Sequence, residues 1–342
     1  MNKDLNPASW RFMLKLVIAG ILLYAVWLLG QLLLLVFAAL LGAVILRALS
    51  NPIAAHARVG DRVSLAISLV LISAFVTGLA IVFGATVIQG AGDVWKQFPS
   101  FIGQIEQWLR LSDLWGWLEN QELTGLGGPS LLKDLTGMSA WALAIPVNIL
   151  LVISGAVFFA ANPGIYRRGF VRLFPQETQA EVEDSLFALG RALRLWLIGQ
   201  LVSMICVAVL TTIGLMILGV PSALALGFLA GMLEFVPYVG PILSAIPAVA
   251  VALSQSPMMA VWVMVLYFVV QQAEAAVIVP LLQRRAVNLP PALTVFSLIA
   301  FGILFGPMGI LLGAPLTVVA FVLVKIYWVR DTLGQDTSLP GE

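Results

Sequence analysis

Long apolar runs separated by short charged segments dominate the chain. The first run, 12–46, is nearly twice the length of one membrane-spanning helix, so it predicts two helices that turn near Gly30 and Gln31. The next segment, 47–62, is expected to be a loop. It carries three arginines: Arg47, Arg58 and Arg62. Because basic residues concentrate in cytoplasmic loops, both ends of this helix pair are expected in the cytoplasm.

Two further runs, 63–88 and 141–161, predict a crossing outward and a crossing back. The segment between them, 89–140, holds six acidic residues against three basic ones, which fits the extracytoplasmic side. Its aromatic and aliphatic residues recur at helical spacing. This pattern indicates an amphipathic helix on the membrane surface, and a lid or an oligomer contact is the alternative interpretation.

The segment 162–194 is expected in the cytoplasm, since it contains Arg167, Arg168 and Arg172. After Pro175 its acidic residues come first and its basic residues last, an order that complements the dipole of a helix. This amphipathic helix is predicted to lead into a crossing over 195–218.

The run 222–254 is interrupted at 234–241 by two prolines and a glycine. Each limb of roughly 14 residues reaches about 21 Å, which is short for a hydrocarbon core of about 30 Å. The following run, 258–281, is long enough to cross, and Arg284 and Arg285 after it are expected inside. The interrupted run must therefore enter and leave on the outer side, which predicts a re-entrant hairpin.

The same pattern recurs over 292–325, which is interrupted at 305–309 and followed by basic residues expected inside. A shift of 70 residues places Pro221 on Pro291 and Pro237 on Pro307. Because the two hairpins would enter from opposite sides, they form an inverted repeat, a construction typical of secondary transporters. Broken helices are tolerated in a membrane where they are buried in protein or line an aqueous cavity, so the two breaks indicate a solute path.

The amino-acid composition further restricts the class of protein to which the chain can belong. The chain is 61% hydrophobic and 10% charged over 342 residues, which excludes a water-soluble globular protein. Its net charge of +1 argues against nucleic-acid binding. Cys206 and His56 are single, so a disulfide framework and a multi-histidine metal site are excluded. No phosphate-binding loop or zinc-protease motif is present, so neither an enzyme nor a cofactor is expected.

Two carboxylates fall within the predicted spans, Glu234 at the first break and Glu274 beside Gln271 and Gln272. Ionisable residues at such depth are costly, and by default they mark ion or proton pathways. The structural alternatives are a helix cap at Glu234 and, for Glu274, an ion pair. Its partner would be one of two arginines: Arg191 or Arg194. Asn148 and Gln200 are interpreted as interhelical hydrogen-bonding residues.

The residues around the breaks resemble those of the autoinducer-2 exporter family of bacterial membrane proteins. The matching motifs are Gly219-Val-Pro-Ser-Ala-Leu-Ala-Leu-Gly227, Gly231-Met-Leu-Glu-Phe-Val-Pro-Tyr-Val-Gly-Pro241, Gln271-Gln-Ala-Glu274 with Pro280, Leu289-Pro-Pro-Ala-Leu293 and Gly313-Ala-Pro315. Many members carry Asn where this chain has Ala276. The resemblance implies a multispanning permease of the bacterial inner membrane. Export of a small polar signalling molecule and sodium/proton antiport are both activities proposed for the family.

These observations predict an all-α integral membrane protein with about six full crossings, two opposed re-entrant hairpins and an amphipathic extracytoplasmic segment. The expected divisions are N-terminal transmembrane helices over 1–88, the outer segment over 89–140, a crossing with a cytoplasmic helix over 141–194, a transport core over 195–331 and a tail over 332–342. Both termini are expected in the cytoplasm, and a homo-oligomer of undetermined copy number is expected.

The predicted function is secondary transport of a small polar solute, coupled to an ion or to protons. The alternatives are cation/proton antiport and a membrane scaffold whose outer aromatic segment recruits partners. Glu234 and Glu274 are the predicted coupling residues. The predicted substrate path comprises Pro237, Tyr238, Gly240, Pro241, Gln271, Gln272, Gly306, Pro307 and Gly309.

Overall fold

The computed structural model describes residues 28–74, 138–278 and 289–337, with isolated positions at 17, 20, 24, 77 and 78 (the backbone alone at 138–145, 277 and 278). Every regular element in these ranges is helical. Several predictions fall outside them: the helix before Gly30, nearly half of the crossing 63–88, nearly all of the outer segment 89–140, and Arg284 and Arg285.

Ten α-helices are found in the described ranges. They are α1 Gly30–Ala57, α2 at 61–74, α3 Met138–Ala161, α4 Pro163–Val171, α5 Gln179–Ile217, α6 Ala223–Leu233, α7 Val239–Gln255, α8 Pro257–Ala273, α9 Pro291–Phe305 and α10 Pro307–Leu323. Two π-helical segments, Glu274–Ile278 and Val324–Arg330, continue α8 and α10. Four described helices are long and apolar enough to cross a membrane, and the bent pair α3–α4 is a fifth candidate.

The predicted loop over 47–62 is wrong, because α1 continues to Ala57 and only residues 58–60 connect it to α2. Arg47 lies inside the helix, where its guanidinium donates to the carbonyl oxygens of Ala160 (2.6 Å) and Ala161 (3.4 Å). These carbonyls end α3 and lack partners within their own helix. The arginine therefore satisfies a helix end, and does not mark a loop.

The predicted cytoplasmic helix after Pro175 and the predicted crossing over 195–218 are one continuous helix, α5, of 39 residues. It packs against α6, α8, α10 and α1. On the α6 side, a Cβ at Gly227 or Gly231 would overlap atoms of Thr212, Met204 and Ala208. Two glycines four residues apart thus let the α6 backbone lie directly on α5, as in closely packed membrane helices.

Both predicted breaks are present. The first lies between α6 and α7 and the second between α9 and α10, and within each pair the two helices pack together. Adding 70 to the bounds of α6 and α7 gives 293–303 and 309–325, against 291–305 and 307–323 for α9 and α10. The helix boundaries therefore repeat to within two residues, as the sequence shift predicts.

The prediction that the two limbs of the first hairpin have equal lengths is wrong. The limbs of the first hairpin have 11 and 17 residues, because the turn lies nearer the start of the interrupted run. The second has limbs of 15 and 17 residues, and the π-helical continuation extends α10 to Arg330, which makes it long enough to cross a membrane. α6, at about 16 Å, is far shorter than the hydrocarbon core.

Two core clusters hold the hairpins in place. One lies between α5, α6, α7 and α8 and includes Val207, Leu226, Ala248 and Val263. The other lies between α1, α5 and α10 and includes Leu41, Leu197 and Val318. Phe235 from the first turn and Phe305 from the end of α9 both pack against this second cluster, so the two turns border on one core.

Candidate functional site

The first hairpin turns at a point where one helix end is buried. α6 ends at Leu233, and Glu234 follows at its C-terminal cap. The main-chain carbonyl of Glu234 accepts a hydrogen bond of 2.6 Å from the side-chain amide of Gln200 on α5. An unpaired carbonyl in this buried position would be costly, so Gln200 stabilises the break. Its predicted role as an interhelical hydrogen-bonding residue is confirmed.

Glu234 and Glu274 lie against each other, although they are separated by the whole of α7 and α8. The side chain of Glu234 is 3% exposed and interacts directly with that of Glu274. Gln271 donates to Glu234 Oε2 at 3.5 Å, and the Ser203 hydroxyl donates to Glu274 Oε1. Two carboxyl groups in contact, one of them almost fully buried, repel each other unless a proton or a cation lies between them.

Each carboxylate is placed by an irregular part of a helix. Glu234 occupies the cap of the shortest limb, and Glu274 is the first residue of the π-helical turn that continues α8. Such π turns occur frequently at functional sites, because they redirect side chains out of the regular helical register. Gln271 lies three residues before Glu274, so both side chains project from one face of the helix.

The carboxyl pair lies several helical turns from the C-terminal end of α5 and from the N-terminal end of α8. Glu274 comes 17 residues after the start of α8 at Pro257, about 26 Å along a helix. Ser203 comes 14 residues before the end of α5 at Ile217, about 21 Å. Both helix ends connect directly to the first hairpin, α6–α7. The carboxyl pair therefore lies about four to five helical turns from the ends that connect to the hairpin.

The other residues of the first hairpin that were predicted to line the substrate path differ in burial: some are buried and others are exposed. Gly240 and Pro241 are buried in the first turn of α7, and a Cβ at Gly240 would overlap the main-chain carbonyl of Leu233. Pro237 is partly buried, while Tyr238, with φ of 66°, is half-exposed. Thus the glycine allows the limbs to close, and the tyrosine is the accessible residue of the turn.

Gln272 differs from its neighbour Gln271. The side chain of Gln271 is partly buried and reaches Glu234, whereas that of Gln272 is exposed. Adjacent residues on a helix point about 100° apart, so only one of the two glutamines can face the carboxyl pair. The structure brings Glu234, Gln271 and Glu274 together and leaves Gln272 on a different face of α8.

The second turn is apolar. Gly306 has φ of 67° and ψ of −150°, a conformation essentially restricted to glycine, and the exposed Pro307 begins α10. Gly309 is buried, and a Cβ there would overlap the main-chain carbonyl of Phe301. The turn from Phe305 to Gly309 carries no ionisable side chain. Of the two hairpin turns, only the first therefore carries a carboxylate, Glu234.

Ser203 contacts the carboxyl pair and was not among the residues predicted from the sequence. It lies three residues after Gln200 on α5, so the two polar side chains are neighbours within an otherwise apolar stretch. The three-residue spacing of Gln200 and Ser203 could have indicated that both belong to one polar site. The indication is weak, because serine is common in membrane helices, where its hydroxyl bonds to the preceding turn.

Comparison with known proteins gives the same class of molecule. Residues 16–328 match the model of a family described as AI-2E family transporter. YueF of Bacillus subtilis, named as a candidate transport protein, is 27% identical over 253 residues, which are 69% of this chain and 68% of YueF. MT0215 of Mycobacterium tuberculosis, also named as a candidate transport protein, is 27% identical over 323 residues, 90% of this chain and 86% of that protein.

A shorter match links the chain to a relative whose name states a solute. TqsA of Escherichia coli, named AI-2 transport protein, is 32% identical over 123 residues. These residues are 36% of this chain and 35% of TqsA.

Proposed function

This chain belongs to the AI-2E family of transporters, and from that premise we propose that it is a secondary transporter of the bacterial inner membrane. It exports a small polar solute of the signalling-molecule class, and export is coupled to an ion or proton gradient. The AI-2 solute named for TqsA is the first compound to test, because that relative matches about a third of the chain.

The coupling proposal rests on the contact between the buried Glu234 and the partly buried Glu274. Glutamine and serine side chains support the pair from two neighbouring helices. A proton or a small cation held there balances a negative charge that is costly inside the membrane. When that ion leaves, the two carboxylates repel each other. This repulsion favours movement of the hairpin that carries Glu234 relative to α8, which carries Glu274.

Cation/proton antiport is the second candidate, and the composition of the pair favours it. The carboxyl groups, together with the Ser203 hydroxyl, offer oxygen atoms, which suit a hard monovalent cation or a proton. An organic solute is not needed for such a site to alternate between a cation and a proton. In this case the acidic pair would be the transport site itself.

Flux measurements in proteoliposomes separate the two functions. Purified protein is reconstituted with a pH-sensitive dye inside, and a sodium or proton gradient is imposed with and without AI-2. Export predicts AI-2 movement that follows the gradient, and antiport predicts a pH change that needs only the cation. Dye and solute signals equal to those of protein-free liposomes would contradict both.

The two hairpins are proposed to be re-entrant, with their turns facing an aqueous cavity. Cysteines placed at Val239 and Met308, in a Cys206→Ser background, are then expected to react with small hydrophilic thiol reagents, because backbone groups at a break need water or protein partners. A cysteine at Val263, which is fully buried in the core, is the matched control and should stay unreactive. Protection of both turns under every transport condition would mean that the breaks are packed inside a static bundle.

Both termini are proposed to be cytoplasmic. A cysteine at Arg330, in the same Cys206→Ser background, should resist a membrane-impermeant thiol reagent added from outside and should react after permeabilisation, since basic residues favour the cytoplasmic side. Leu224, exposed near the start of α6, provides the opposite control, because that end is proposed to be outside. Labelling of position 330 from outside would show that the second hairpin crosses the membrane once.

A further inference from the structure

The short helix α4 lies across the direction of the helix before it. α3 has 24 residues, about 36 Å, and is long enough to cross the hydrocarbon core by itself. α4 begins directly after Asn162, and its axis makes an angle of 86° with the last part of α3. A helix at a right angle to a crossing helix, at the end of that crossing, runs along the surface of the bilayer.

α4 presents its large apolar side chains on the outside of the protein. Ile165, Tyr166 and Phe170 are exposed, and Leu173, directly after the helix, is 78% exposed. At about 100° per residue the three residues of the helix fall within an arc of roughly 140°, and Leu173 in the following turn extends this apolar arc. Val171 lies outside the arc and is buried, so it is the residue that packs inward. An apolar arc of this width on a surface helix is typical of helices that lie in the membrane interface.

Two arginines lie along one edge of the apolar arc, and they differ from the third arginine of this segment. Arg168 and Arg172 are exposed and lie one turn apart. Arg167 instead forms an ion pair with Glu183 at 3.1 Å and lies over the ring of Phe187 at 4.4 Å, so it joins α4 to α5. The sequence from 162 to 175 contains no acidic residue. The outer edge of α4 therefore has a local positive charge beside an apolar surface.

We propose that α4 is a binding site for anionic phospholipids. Its apolar arc lies among the upper acyl chains, and Arg168 and Arg172 bind the phosphate groups of the lipid headgroups. Long arginine side chains reach from an apolar surface to the headgroup level, and tyrosine is favoured at the same depth. A second copy of the chain is a poorer occupant, because two identical faces would bring like charges together.

Lipid titration of the purified full-length protein in detergent tests the proposal. The melting temperature is followed as phosphatidylglycerol or phosphatidylcholine is added, since a ligand that binds the folded state raises it. The wild type should bind phosphatidylglycerol more tightly. Each arginine near an anionic surface contributes about fivefold, so R168Q/R172Q is expected to lose roughly thirtyfold in apparent affinity for phosphatidylglycerol. Its affinity for phosphatidylcholine should be unchanged.

Three controls make the result decisive. R330Q removes an exposed arginine that lies beside Asp331 at 3.0 Å, and it should keep the wild-type lipid preference. L173Q should weaken binding of both lipids, because it alters the apolar arc and leaves the arginines in place. The melting temperature of R168Q/R172Q without lipid should match that of the wild type, which shows that the variant is folded.

Several outcomes would overturn the proposal. Equal affinity of the wild type for the two lipids, or an unchanged preference in R168Q/R172Q, would show that the arginines bind no headgroup. An equal stabilisation by inorganic phosphate would indicate a site for free anions. Dissociation of an oligomer by L173Q, with lipid binding unchanged, would show that this face joins two copies of the chain.

Discussion

Glu234→Gln is expected to give a folded protein whose flux no longer responds to an imposed pH or sodium gradient. Glutamine keeps the shape of the side chain, but it can neither exchange a proton nor supply a full negative charge. The response should fall by about tenfold or more, which corresponds to losing about 1.4 kcal/mol of interaction with the coupling ion. The measurement is gradient-driven flux in proteoliposomes, with Glu274→Gln reconstituted in parallel.

The structure supports a larger effect at Glu234 than at Glu274. Glu234 is almost fully buried and lies at the broken end of α6, whereas Glu274 is partly exposed. Exposed carbonyls at a broken helix can complete a cation site, which favours the residue at the break. Ser203→Ala removes the hydroxyl that donates to Glu274 and should weaken the response less than either glutamine variant.

Glu177→Gln is the matched control for this series, because Glu177 is exposed in the turn before α5. It should behave as the wild type. If the glutamates are only structural, Glu→Gln should lower stability and leave the pH dependence of the residual flux intact. Wild-type gradient dependence in both variants would refute the coupling proposal, and loss in Glu274→Gln alone would reverse the ranking of the two residues.

Gly240→Ala and Gly309→Ala are each expected to destabilise the protein by about 3 kcal/mol or to prevent folding, since overpacking a rigid contact typically costs 1–3 kcal/mol or more. In both hairpins the added Cβ would overlap a main-chain carbonyl of the preceding limb, that of Leu233 or Phe301. Backbone cannot move aside as a flexible side chain can, so the limbs would have to separate. Thermal unfolding in detergent measures the loss.

Gly190→Ala provides the control for the glycine series. Gly190 lies inside α5, and nothing is found within 4 Å of the position that its Cβ would take. Alanine is the better helix former by about 1 kcal/mol, so this variant should unfold at the wild-type temperature or slightly above it. A Gly240→Ala protein as stable as the Gly190→Ala protein would show that the first hairpin does not close as tightly as described.

Much of the architecture could be predicted from the sequence, because few backbone conformations are stable in a membrane. Backbone groups must be satisfied internally, so long apolar runs become helices, and proline–glycine clusters inside them become breaks. The break after Leu233 and the break at Gly306 followed from that rule. Glu234 and Glu274 could be singled out as carboxylates in apolar runs, where such residues are costly, and their role in coupling stays a prediction.

Helix boundaries near charged residues could not be predicted in the same way. The interpretation of 47–62 as a loop failed because it treated Arg47 as a residue in water. The arginine instead reaches carbonyl groups of α3, more than a hundred residues later in the chain. A hydropathy pattern counts every charged residue as unfavourable in a membrane, whether or not it has a partner. An arginine that bonds the end of a distant helix is therefore mistaken for the end of its own helix.

The sequence by itself determined the class of protein, the helical composition, the two breaks and the presence of carboxylates in apolar runs, because each depends on local hydropathy or local backbone chemistry. Only the tertiary structure decided that Glu234 meets Glu274 and that Ser203 and Gln271 contact them. Those contacts depend on how α5, α6 and α8 pack, and close packing through Gly227 and Gly231 sets that arrangement. Close packing depends on the shapes of residues that are far apart in the sequence, and the order of hydrophobic and polar residues along the chain does not specify those shapes.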